Sequence, residues 1–226
     1  MQDLKSGLVV FDLDGTLVDT PRAIVETITA VLAALGAPAR PPAQIRATIG
    51  MPLEMAFSRL LGAEPYDPVI EQAVLKYREL FKELVLPRAR ELVFPGVAEG
   101  LAELRRGGFL LALATSKIHA SAVSLLHAAG LFEYFCMIVG ADDVARPKPD
   151  PESGLAILNA LDVLPDEAIM VGDTTHDILM ARAAGMRSAA VTYGIHDVDE
   201  LCLAGPTWLA NSFAEVVAGV QTAGMR

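Results

Sequence analysis

The residues able to do chemistry in this chain stand where short apolar runs end. Leu8-Val9-Val10-Phe11 is continuous apolar sequence, Gly15 breaks it, and Asp12 and Asp14 lie between. A carboxylate at such a strand end faces the crevice in which open parallel sheets bind ligands, so Asp12 is placed to attack an electrophile or to hold a metal. Asp14, next on the same side, can shuttle a proton. An ordinary strand-ending turn rich in Asx hydrogen bonds would use the same letters, and downstream residues separate the two readings. Ala168-Ile169-Met170-Val171-Gly172 runs into Asp173-Thr174-Thr175-His176-Asp177. Asp173 and Asp177 share one helix face if both fall in the first turn. Helix capping alone would account for them, but less well once Asp12 and Asp14 hold the equivalent place on another strand. Carboxylates converging at strand ends repel one another unless a hard divalent cation sits among them, and oxygen-only ligation suits Mg²⁺.

Two further segments supply donors. Leu110-Leu111-Ala112-Leu113-Ala114 ends in Thr115-Ser116-Lys117. The Thr115 hydroxyl and the neighbouring backbone N–H groups can bond phosphate oxygens at the entrance to a helix, although Ser and Thr there also serve as plain helix caps. Arg146-Pro147-Lys148-Pro149-Asp150-Pro151 brackets one lysine with prolines, which predicts a stiff, extended loop. A solvated surface lysine has little need of such a frame.

Together the four segments resemble the haloacid dehalogenase superfamily, and within it the phosphoglycolate phosphatase-like branch. Asp12 and Asp14 match its first motif, Thr115 its second, Lys148 its third, and Asp173 with Asp177 its fourth. Ser116 stands where the second motif often has Asn, but its backbone N–H remains available to a phosphate. The resemblance implies Asp12 as nucleophile, Asp14 as acid and base, and Thr115, Ser116 and Lys148 as phosphate holders. It also implies Mg²⁺ held by Asp12, the Asp14 carbonyl and Asp173, with Asp177 supporting the metal's water shell or Lys148. The implied substrate is a small phosphomonoester, phosphoglycolate first among them. A sugar-phosphate mutase would keep the same core. A phosphonate-cleaving relative would need a cap lysine, for which Lys76 and Lys82 are available. A regulatory binding module would have no use for a full set of repelling carboxylates.

The elements that must position these residues follow from periodicity. After Phe94-Pro95-Gly96, strands and helices alternate almost to the end, which predicts a parallel sheet covered on both faces. Between Leu17 and Phe94 the pattern is helical. Thr20-Pro21 starts one helix carrying Ile24, Ile28, Val31, Leu32 and Leu35 to Gly36, and Asp67-Pro68 starts another with Ile70, Val74, Tyr77, Phe81 and Leu84 along one face. The expected fold is therefore α/β, a Rossmann-like parallel-sheet core formed by residues 1–16 and 95–226 with an inserted helical cap at 17–94. In relatives a loop resembling Gly50-Met51-Pro52 reaches the active site. Arg46, Arg59, Lys76 and Arg78 read first of all as solvated helix charges, and secondly as cap residues able to recognise a second anionic group on the substrate. Of the four histidines, only His176 lies inside a motif.

Composition sets the surroundings. With 226 residues, 53% of them hydrophobic, the chain can bury one sizeable core plus an accessory module. A net charge of −10 argues against nucleic acid or an anionic membrane as partner. Cys136 and Cys202 are too few and too isolated for a disulfide scaffold. No apolar run reaches the length of a bilayer span, and Met1-Gln2-Asp3-Leu4-Lys5-Ser6 does not open a signal peptide. The expectation is a cytoplasmic monomer or homodimer acting on a small-molecule phosphate ester. Gly-x-Ser-x-Gly, P-loop, dinucleotide-binding and zinc-type patterns are all missing.

Overall fold

The apolar runs become strands because they are buried on both faces, a pattern that only a sheet covered by helices on both sides can accept. The structure, a computed structural model, describes residues 7–223. The reading that residues 1–6 do not open a signal peptide falls outside them. In chain order the elements are β1 (Leu8–Phe11), α1 (Pro21–Ala34), α2 (Pro42–Arg46), α3 (Leu53–Leu61), α4 (Pro68–Leu84), α5 (Val97–Arg106) and β2 (Leu110–Ala114). There follow α6 (His119–Ala129), β3 (Met137–Val139), α7 (Glu152–Leu161), β4 (Ala168–Gly172) and α8 (Thr175–Ala183). The last are β5 (Arg187–Val191), α9 (Val198–Ala204), β6 (Trp208–Ala210) and α10 (Phe213–Ala223). The strands form one six-stranded sheet in the order β3-β2-β1-β4-β5-β6, every neighbouring pair parallel. This is the expected α/β architecture, with β1 at its centre.

Alternation along β1 divides the core. Val9 and Phe11 join a cluster with Leu101 and Leu104 of α5 and with Phe213 and Val216 of α10, and the Phe11 and Phe213 rings stack at 5.8 Å. Leu8 and Val10 face the other way, onto Ile157 and Leu158 of α7 and Met180 of α8. The first cluster continues into the helical segment between β1 and β2 through Ile24, Ile28, Phe57 and Phe81.

That segment leaves and rejoins the sheet through paired chains. Val18 bridges Val93, the Asp19 N–H donates to the Leu92 carbonyl, and the Phe94 N–H donates to the Leu17 carbonyl. Helix α4 starts as its sequence predicts, the Asp67 carboxylate accepting from the Val69 N–H. Its apolar face holds for Ile70, Val74, Tyr77 and Phe81, but Leu84 in the last turn is 55% exposed. The Arg146–Pro151 stretch also departs from expectation. It folds as a turn closed by the Asp150 N–H to the Pro147 carbonyl, with the Glu152 carboxylate accepting from the Ala145 and Arg146 N–H groups. Proline fixes φ but leaves ψ free, so a Pro-rich run can turn as readily as extend. Among the described residues no helix is long and apolar enough to cross a membrane.

Candidate active site

Central placement of β1 brings its carboxyl end beside those of β2 and β4. Asp12 follows β1, its N–H donating to the Val171 carbonyl so that it extends the strand pairing into the crevice. The turn around Lys148 sends that side chain beneath the same strand ends. Its ammonium donates to Asp12 Oδ1 at 2.9 Å, to Asp177 Oδ1 at 2.6 Å and to the Ala114 carbonyl at 3.0 Å. Lys148, Asp12, Asp173 and Asp177 are all buried.

The condition under which Asp173 and Asp177 would share a helix face, that both fall in the first turn, is not met. Helix α8 begins at Thr175 with Thr174 as its N-cap, so Asp173 belongs to the preceding loop. Asp177 Oδ2 accepts from the Thr174 N–H at 3.0 Å and from its hydroxyl at 2.7 Å, which turns the carboxylate inward toward Lys148. Asp173 is held separately, Oδ1 by the Thr16 hydroxyl at 2.7 Å and Oδ2 by the Ile195 N–H at 2.9 Å. Backbone crowds this carboxylate. A Cβ on Gly15 would fall 2.2 Å from Asp173 Oδ2 and one on Gly194 2.4 Å from it, so neither position accepts a side chain.

Oxygen atoms of Asp12, Asp173 and Asp177 lie within 4.8 Å of one another. Burial raises the Asp12 carboxyl to about 7, the Asp177 and Asp14 charges adding to the rise and Lys148 opposing it. Burial likewise lifts Asp173 well above the usual carboxylate range, with Asp12 and Asp177 contributing. For Lys148 burial opposes the charge, but Asp12 and Asp177 outweigh it and hold the ammonium protonated. With all three carboxylates ionised, the ammonium leaves two negative charges uncompensated, which one divalent cation would neutralise. The donor set is all oxygen, so the residues fit a hard dication of the Mg²⁺ kind.

A pH dependence follows. Native Asp12 keeps a proton that the unfolded chain gives up near 3.8, so metal-free protein is expected to lose stability as pH rises from about 4 to about 7. Added Mg²⁺ competes with that proton and should raise the melting temperature more at about pH 8 than at about pH 5. Thermal unfolding with and without Mg²⁺ at both pH values is the measurement. An equal Mg²⁺ effect at the two would refute the coupling.

The remaining motif residues surround a cavity of about 400 Å³ between the sheet ends and the helical segment. Asp14 lines it, with Oδ1 accepting from the Thr20 hydroxyl and Oδ2 paired with the Lys117 ammonium at 3.0 Å. Thr20, which the sequence marks as a helix start, thus serves Asp14 rather than capping α1. The Thr115 N–H completes the sheet to the Val139 carbonyl, and its hydroxyl accepts from the Lys117 N–H at 3.2 Å. Ser116 has a second task, its hydroxyl donating to the Gly50 carbonyl at 2.7 Å. The Gly50-Met51 loop therefore does reach this crevice.

Of the basic residues weighed in the helical segment, Arg46 donates to the Gly194 and Ile195 carbonyls, at 3.0 and 3.4 Å, and so touches the loop that holds Asp173. Lys76 pairs with Glu79, Arg59 lies on a different face, and Arg78 lines the cavity paired with Glu54. Lys117, Thr16 and Ile195 escape the sequence reading. The first two adjoin the motifs and could have been drawn in by adjacency, whereas Ile195 acts through its backbone and leaves no signal in residue type.

The family model of haloacid dehalogenase-like hydrolases matches residues 9–191, from β1 to the end of β5, and the chain belongs to that family. It is 52% identical to Probable phosphatase IndB of Dickeya dadantii, across 93% of this chain and 91% of that protein. It is 34% identical to Phosphoglycolate phosphatase 1 of Pseudomonas aeruginosa, across 93% of this chain and 78% of that one. Among solved structures, CbbY from Rhodobacter sphaeroides, in complex with phosphate, aligns with a TM-score of 0.78 at 28% identity, covering 96% of this chain and 99% of that chain. These likenesses agree with the expected phosphoglycolate phosphatase-like branch.

Proposed function

We propose that this protein is a Mg²⁺-dependent phosphatase that hydrolyses small phosphomonoesters through an aspartyl-phosphate intermediate, acting in the cytoplasm. The observation that carries the reading is the buried convergence of Asp12, Asp173 and Asp177, the first and last of them paired with Lys148, a cluster with two negative charges in excess when all three carboxylates are ionised. Asp12 Oδ1 is engaged by Lys148 while Oδ2 accepts no hydrogen bond among the described residues, which leaves it free to attack phosphorus. As the new Asp12–phosphorus bond forms, the ester oxygen departs and takes a proton from Asp14. Water then attacks the aspartyl phosphate, gives its proton to Asp14, and releases inorganic phosphate and a restored Asp12. Thr20 and Lys117 fix the Asp14 carboxyl for both transfers, while Lys148 and Thr115 hold the transferring group. A bound Mg²⁺, held by Asp12, Asp173 and the Asp14 carbonyl, would supply charge neutralisation at the phosphate oxygens. Asp177 serves by aiming Lys148. The helical segment acts as a cap that excludes water from the crevice. Phosphoglycolate, the substrate named for several relatives, heads the panel of esters to be assayed.

The test is phosphate release by purified protein with Mg²⁺, with EDTA, and with Ca²⁺ in place of Mg²⁺. Activity is expected to vanish with EDTA and to return with Mg²⁺. Ca²⁺, which takes longer bonds and more ligands, should restore little, because it shifts the nucleophile out of line. Full turnover in metal-free buffer would refute the assignment.

A further inference from the structure

The cavity above Asp12 is large for a glycolate group. At about 400 Å³ it lies in the range that encloses ligands of drug size. Ile24, Ile28, Ile49, Leu53, Phe81 and Leu86 make up much of its wall. Its polar groups are largely committed elsewhere. The hydroxyls of Thr48, Ser116 and Ser124 donate to the carbonyls of Ile45, Gly50 and Ala120. Lys117 pairs with Asp14 and lies over the Phe81 ring, 4.4 Å from its centroid, and Arg78 pairs with Glu54. Lys82 also lines the cavity, but it is solvent-exposed, where an ion pair adds little. The hydroxyls of Tyr77 and Ser121 also line the cavity but carry no charge, so a second anionic group on a substrate would meet a cation only by breaking an existing pair or in screened water-side contact. An apolar group would displace water from the wall at no such cost.

We propose that the preferred substrate is a phosphomonoester whose alcohol carries an uncharged, largely apolar body of about ring size, seated between α1, α3 and α4. This rests on the phosphatase reading and narrows its substrate class.

The experiment compares kcat/KM for benzyl phosphate, ethyl phosphate and phosphoglycolate, since benzyl and ethyl alcohol are of similar acidity and their difference reports binding of the body. Benzyl phosphate is expected to exceed both others by at least about 10-fold, given that one extra methylene in an apolar pocket is worth about 10–200-fold. Leu53→Asn and Leu86→Asn, at half-buried wall positions, should each lower kcat/KM for benzyl phosphate several-fold more than for ethyl phosphate. Calorimetric titration with benzylphosphonate and ethylphosphonate reads the same preference without turnover. Phosphate release from all three esters with no benzyl preference would overturn the proposal and leave the phosphatase reading intact. Tighter binding of benzylphosphonate with no turnover of any ester would uphold the apolar seat and overturn the phosphatase reading instead. Equal losses on every ester in both leucine variants would overturn the placement of the seat.

Discussion

Asp12→Asn is expected to release phosphate at least about 10⁴-fold more slowly than the unaltered protein, while folding to the same structure with an equal or higher melting temperature. The amide is a poor nucleophile, but its oxygen can still accept the hydrogen bond that Lys148 now gives to Asp12 Oδ1. Removing one carboxylate also removes a charge whose burial, aided by repulsion from Asp177 and Asp14, lifts Asp12 to about 7, and takes away one of the charges that add to the burial-driven rise of Asp173. Activity and stability should thus move in opposite directions, as they do where charge is kept for function at a cost in folding. Phosphate-release rates and a thermal unfolding curve on the same preparation decide the matter. Near-normal turnover by well-folded Asp12→Asn protein would end the aspartyl-phosphate mechanism.

Lys148→Met should fail in the complementary way. Its loss leaves Asp12 and Asp177 buried and facing each other with no cation between them, and breaking a buried pair of this kind costs about 3–5 kcal/mol. Catalysis should fall as well, because the Lys148 ammonium then no longer helps to offset the approach of an anionic nucleophile to a phosphate dianion. The sign of the pH dependence is diagnostic. Without the ammonium Asp12 holds its proton more tightly in the native state, so the stability deficit should be large at about pH 8 and shrink toward about pH 5. Urea unfolding at the two pH values measures it. A deficit that does not change with pH would show that Lys148 matters through packing and not through charge.

The strands were legible because β1, β2 and β4 are buried on both faces and read as unbroken apolar runs. The motif carboxylates were legible for a related reason, since a charge directly after such a run has no obvious packing role. Hydrogen-bond assignments were harder. Thr174 between Asp173 and Asp177 starts the helix, and that one residue decides that the two carboxylates are held by different partners. Ser116 was expected only to offer its N–H to a phosphate, yet its hydroxyl ties down Gly50 from a segment 66 residues away, a pairing no local pattern encodes. Leu84 fits the apolar period of α4 but lies one turn beyond the surface that packs. The basic residues of the helical segment look alike in sequence, and only their carboxylate or carbonyl partners tell Arg78 from Arg46.

Arg46 has one further consequence. From the helical segment it grips the carbonyls of Gly194 and Ile195, and the same Ile195 peptide donates its N–H to Asp173. The seating of the helical segment and the binding of any cation in the carboxylate cluster would thus share one short loop as a common strut. Free-energy linkage is reciprocal: whatever factor a cation adds to the docked arrangement, docking adds to the affinity for the cation. Closing over a substrate and gripping the ion would then be two readings of a single equilibrium.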